Sequence, residues 1–175
     1  MRLVDGFQLR LALKTHELRR DAAIKQFQDS LMAFPGETKP APTTLDTTIA
    51  EAERAIVQLQ VAQMRYNLNV LVEVGTERMT LAAAIKEVGG WGRAEKRWRS
   101  AMPADRPRAG RLYASREQSR SKDAEHASPT LPQEQVLQGA HTATRIAAKY
   151  RAAIAKGNAK SVPVGEIGLD PELLE

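Results

Sequence analysis

The apolar positions of this chain fall into long rows at helical spacing, broken by one stretch that alternates. Over residues 2–34, Val4, Leu11 and Leu18 recur every seven residues, with Leu3 and Phe7 beside them. Ile24, Phe27, Leu31 and Phe34 continue in steps of three and four, which keeps side chains on one face of a helix. Pro35-Gly36 cannot extend that helix, so it is expected to stop at Phe34. The loop PGETKPAPTT, residues 35–44, carries three prolines and predicts a turn between two antiparallel helices.

The next row is the cleanest. Leu45, Ile49, Ala52, Ile56, Leu59, Gln63 and Tyr66 alternate steps of four and three, the period of a coiled-coil seam. Thr44 or Asp46 is expected to cap this helix, and Leu45 and Ile49 to meet Phe34 and Leu31. Residues 67–80, NLNVLVEVGTERMT, change period. Leu68, Val70 and Val72 alternate with Asn69, Leu71 and Glu73, and Gly75 supplies a turn, so a short β bend is predicted. Two strands alone are marginal in water. The bend must therefore pack on a helix or pair with the same element of another copy.

Thr80 then caps a third helix. Gly89, Gly90 and Gly92 weaken it, and a hinge or a close helix contact is expected there. Beyond them Trp91, Ala94, Trp98 and Ala101 share one face, while Arg93, Lys96, Arg97 and Arg99 occupy the others. Residues 103–132 are poor in hydrophobes and read as a flexible basic arm. A last helix is expected over 133–155, with Val136, Ala140, Ala143, Ala147, Tyr150 and Ile154 as its seam and Gly157-Asn158 as its C-cap. An acidic tail follows. The fold class is thus mainly α: a long-helix hairpin with a β bend at 67–80, and a third helix packed on it, over residues 1–102. The basic arm is 103–132, and the C-terminal helix and tail are 133–175.

Composition narrows the function classes. The 175 residues include no cysteine, which removes disulfide and thiolate chemistry. No apolar run approaches the roughly 18 residues that span a bilayer, and Met1 to Arg10 do not read as a signal peptide. A soluble cytoplasmic protein is the expectation. The net charge of +5 is uneven: residues 86–122 hold eleven Lys/Arg against four acids, a net +7, leaving −2 for the remainder. Such asymmetry steers partners.

The residue order carries a resemblance. The helix MRLVDGFQLRLALKTHELR, a proline-interrupted loop, a second long helix, then RYNLNVLVEVGTERMTLAAAIKE and a charged third helix resemble the septicolysin-like family of small bacterial helical proteins. Asn67, Gly75-Thr76, Thr80-Leu81 and Arg93 to Arg99 match the family's order of pieces. The resemblance covers about residues 1–102. It implies a helical fold and self-association, and it supplies no catalytic residues. The chain departs from it at Gly89-Gly90-Trp91-Gly92 and beyond Pro103.

No reaction is specified by motif. His16, His126 and His141 are scattered, so neither a metal site nor a cofactor is expected, and His16 beside Glu17 reads as a solvated pair. The glycine run ending in Arg93 lacks the lysine and hydroxyl of a phosphate-binding loop. Three readings follow. The first is a non-enzymatic oligomeric scaffold acting through Leu45, Ile49, Ile56, Leu59, Val70, Val72, Trp91 and Trp98, with the C-terminal helix and tail held by a second copy or a protein partner. The second is a nucleic-acid-associated protein using Arg93, Lys96, Arg97, Arg99, Arg106, Arg108 and Arg111. The third is an enzyme whose site forms between subunits.

Overall fold

The computed structural model describes residues 2–101 and 131–174, and among them the protein is mainly α. The first turn of helix is set by Asp5. Leu3–Val4 form a short strand, β1, and α1 is Gly6–Ser30. The Asp5 carboxylate accepts from the N–H groups of Phe7 and Gln8, both at 2.8 Å. The Gln8 side chain accepts in return from the Asp5 N–H at 3.0 Å, completing a capping box. The helix therefore starts at residue 6 rather than 2. It also ends before Phe34: the Lys39 ammonium donates to the carbonyls of Asp29 and Met32, at 2.9 and 2.7 Å, and satisfies acceptors that the helix end leaves open.

The buried face of α1 is not the seven-residue row. Leu9, Ala12 and Ala23 are buried, whereas Phe7, Leu11, Leu18, Leu31 and Phe34 are at least half exposed. The hairpin with α2, Pro42–Asn69, closes on small side chains and turns the large ones outward. Pro42 occupies the first turn of α2, where its missing N–H costs nothing, so neither Thr44 nor Asp46 is the cap. Leu45 is buried, but the expected closure against Phe34 and Leu31 is not made, because both of those side chains face water. Along α2 the seam is Leu45, Ala52, Leu59 and Tyr66, flanked by Ala55, Ile56 and Ala62. Ile49 and Gln63 are only half-buried. Ile56, seven residues from each in the same row, is buried, so that row lies at the margin of the seam.

The helix continues through Asn69, three residues into the stretch read as β. Strands β2, Leu71–Val74, and β3, Glu77–Thr80, then form an antiparallel hairpin with Val74 opposite Glu77. Gly75, at φ +66°, takes the first central position of the turn, which a side chain would disfavour. Helix α3, Leu81–Ser100, follows at once, and the Thr80 hydroxyl accepts from the Ala83 N–H at 3.2 Å. It runs unbroken through the three glycines, so the expected hinge is absent. Gly90 and Gly92 face open space, so no close helix contact uses them.

Helix α4, Gln133–Asn158, buries Val136, Ala140, Ala143, Ala147 and Tyr150 as predicted, then Ala153 in place of Ile154. It also runs three residues further. Gly157 lies inside the helix, not at its cap: a Cβ there would stand 2.6 Å from Val72 and 3.0 Å from Leu81. The β hairpin thus packs on a helix of its own chain.

The chain divides into two units: residues 1–85 with 152–175, and residues 86–151. This cuts across the expected division at 102 and 132, since the tail belongs with the N-terminal hairpin. Strand β4, Val162–Pro163, pairs antiparallel with β1, Val4 opposite Val162. Two 3-10 turns, Val164–Ile167 and Pro171–Leu174, complete the tail. Ile167 and Leu169 of the tail are buried within this unit. The core of this unit is Val4, Leu9, Leu59, Tyr66, Leu81 and Ile167. Its polar keystone is Tyr66, whose hydroxyl lies 2.8 Å from the Gly157 carbonyl and 2.7 Å from that of Lys160.

Candidate functional site

The residues proposed for self-association divide on inspection. Leu45, Ile56, Leu59, Val70 and Val72 are buried in the first unit's own core, which corrects their assignment to a surface seam: a side chain already packed inside offers nothing to a second copy. Trp91 and Trp98 are half-buried in the second unit. Trp98 lies on Gly139 so closely that a Cβ at 139 would stand 2.6 Å from its ring, so the α3–α4 contact depends on that glycine.

The exposed apolar side chains form rows on the outer faces of α1 and α2. Val57, Val61, Met64 and Leu68 on α2 are 57, 40, 66 and 59 % exposed. They recur in steps of four, three and four, nearly opposite the buried seam at about 100° per residue. Gln60 and Asn67 flank them on one side and Gln58 on the other, with the exposed charges of Glu53, Arg54 and Arg65 also beside the row. Gln60, Gln63, Met64 and Asn67 line a shallow depression of about 300 Å³. Phe7, Leu11 and Leu18 give α1 a second exposed row, in which the Arg10 guanidinium sits 5.1 Å from the Phe7 ring.

The candidate cations are also sorted by the fold. Arg93, Lys96 and Arg97 are exposed and make no ion pair among the described residues. Arg93 and Lys96 fall on the side of α3 opposite the two indoles, and Arg97 to one side, so base stacking and these charges do not share a face. Arg99 is engaged by Glu95 at 3.0 Å, and Arg151 of α4 approaches the same carboxylate at 4.0 Å. Arg106, Arg108 and Arg111 lie outside the described residues, as does the basic arm apart from Leu131 and Pro132. Along α4, Gln135, Gln138, Thr142, Arg145 and Lys149 are all exposed and recur in steps of three and four. In the sequence this row is masked by the stronger alanine period of the same helix.

Glu95 joins the two helices of this unit. The neighbouring Thr144 hydroxyl, then the hydrogen bond from Arg99 and the nearby charges of Arg99 and Arg151, hold its carboxyl below the ordinary value of 4.5. A carboxyl lowered in the folded state adds stability above its ordinary range and loses it as pH falls through the lowered value. Glu95→Gln should therefore unfold at a lower temperature than the natural chain at pH 7, with the gap closing below pH 4. Thermal melts across that range check this.

A second cavity, of about 280 Å³, lies between α1 and the tail and is lined by Arg2, Gln8, Thr15 and His16 with Leu173 and Leu174. Its polar groups hold the tail. Arg2 donates to the Pro171 carbonyl at 3.0 Å, and His16 Nε2 lies 3.3 Å from that of Leu173. His16 is thus a half-buried tail contact rather than the solvated partner of Glu17. Thr15 donates to the Leu11 carbonyl at 3.1 Å. Among the described residues no three His, Cys, Asp or Glu gather into a metal-binding group, and no helix is long and apolar enough to cross a membrane.

With this geometry in view, the chain is similar in fold to a solved structure from Corynebacterium diphtheriae, described as that of a functionally unknown conserved protein. The TM-score is 0.65 and the sequence identity 15%, over 93% of this chain and 100% of that one. No family model matches the chain, nor does any curated protein.

Proposed function

We propose that the protein is a non-enzymatic, self-associating helical interaction protein whose contact surface is the outer row of α2. One observation carries this reading: α2 is apolar on two opposite faces, and only one is covered among the described residues. Val57, Val61, Met64 and Leu68 remain exposed at seam spacing. A helix apolar on both sides is ordinarily covered on both. The row suits a second copy of itself, because steps of four and three are self-complementary. The septicolysin-like resemblance implies self-association as well. The tail is not proposed as the contact, since its strand pairs with β1 of its own chain.

The absence of cysteine makes a clean test available. Met64→Cys, mildly oxidised, should form a disulfide-linked dimer on a non-reducing gel. Thr43→Cys, exposed near the start of the same helix, should stay monomeric under the same conditions. Equal crosslinking of the two variants, or of neither, would overturn the reading.

A further inference from the structure

We infer that the groove between the α3 tryptophans and the outer row of α4 binds single-stranded nucleic acid. The groove has a volume of about 360 Å³ and opens to solvent; Trp91 and Trp98 form one wall, and Gln135, Gln138 and Thr142 the other, over a floor at Gly139 and Ala143. An indole face stacks on any base, and side-chain amides and a hydroxyl offer donors and acceptors to a base edge. The polar wall does not end at Thr142. Three and seven residues further along the same side of α4 stand Arg145 and Lys149, both exposed and unpaired among the described residues. At 1.5 Å per residue they lie roughly 5 and 10 Å beyond Thr142, within reach of the phosphates that follow a stacked base.

Charge complementarity names the occupant. Among the described residues of 86–151 there are eight Lys/Arg against three acids, a net +5, while residues 1–85 with 152–175 carry −2. A polyanion is drawn to this unit and not to the other. A duplex fits the groove poorly, because its bases are already stacked and cannot reach the indoles. The outer cations Arg93, Lys96 and Arg97 add attraction without reading a base.

The experiment uses the full chain and labelled oligonucleotides of about 20 nucleotides: oligo(dT), oligo(rU) and a duplex. Anisotropy reports binding, and tryptophan fluorescence reports stacking. The expected result is binding of single strands in preference to duplex, with quenched tryptophan emission and affinity that falls as salt rises. The comparison of dT with rU says whether DNA or RNA is preferred. Trp91→Ala should weaken binding roughly 5- to 100-fold, the range that one base–indole stack supplies. It leaves the Trp98–Gly139 contact in place. Arg145→Glu with Lys149→Glu should reduce affinity and flatten the salt dependence, with a circular-dichroism melt confirming that each variant folds. Three results would overturn the inference: no binding at low salt, duplex bound as tightly as single strand, or affinity removed by Arg93→Glu with Lys96→Glu and Arg97→Glu but untouched by Trp91→Ala. A loss of self-association in Trp91→Ala with nucleic-acid binding unchanged would also overturn it, by assigning the groove to a second copy.

Discussion

Replacing Tyr66 by alanine should destabilise the first unit by about 3–5 kcal/mol, the range for emptying a fully buried aromatic site. For a chain of this size that lowers the melting temperature by roughly 10 °C. Tyr66 has no exposure to water, and its ring sits where the end of α2, the start of α1 and the end of α4 meet. Tyr66→Phe separates the ring from its hydroxyl. It keeps the packing but removes the one hydroxyl proton shared between the carbonyls of Gly157 and Lys160, of which Gly157 keeps the Lys160 N–H, at a cost of about 1–3 kcal/mol. The hydroxyl also fixes an alkaline limit. Burial is the main cause that raises the Tyr66 pKa above its ordinary 10.0. The unfolded chain therefore ionises first, and stability is full below pH 10 and declines as pH rises past it. Tyr66→Phe should lose that component of the decline. Chemical denaturation at pH 7 and at pH 10.5 measures both effects.

The second large effect is on assembly. Val61→Glu with Met64→Glu places two carboxylates in the middle of the exposed α2 row. Both positions face solvent in the chain itself, so folding stability should change by no more than about 0.5 kcal/mol. Association should be abolished, because each copy would set two carboxylates against those of its partner in a surface being desolvated. A variant that melts like the natural chain yet has half its mass or less is the expected outcome. A variant that unfolds would instead show these side chains to be part of the core.

The contrast between the two sites explains what the sequence disclosed. The α2 seam and the α4 alanine row were legible because their partners lie along one helix face, at a period the eye can follow. The inner face of α1 was not, because burial there fell to Ala12 and Ala23 while the conspicuous row of Phe7, Leu11 and Leu18 faces water. Hydrophobicity alone does not say which of two apolar faces lies inside. The pairing of β1 with β4 joins two strands of two residues each, too short for any alternation to announce. Gly139 and Gly157 act by the side chain they lack, against Trp98 in one case and Val72 and Leu81 in the other. No local pattern marks either as a contact. The polar row from Gln135 to Lys149 was present at regular spacing and became a candidate site once the groove beside it was visible.

The exposed α2 row is the centre of the functional reading, and the mass of the natural chain in solution addresses it directly. Light scattering on the eluting peak, from low to high micromolar concentration, should give at least twice the 19.3 kDa of one chain and rise with concentration if subunits exchange. A constant mass of one chain throughout would contradict it.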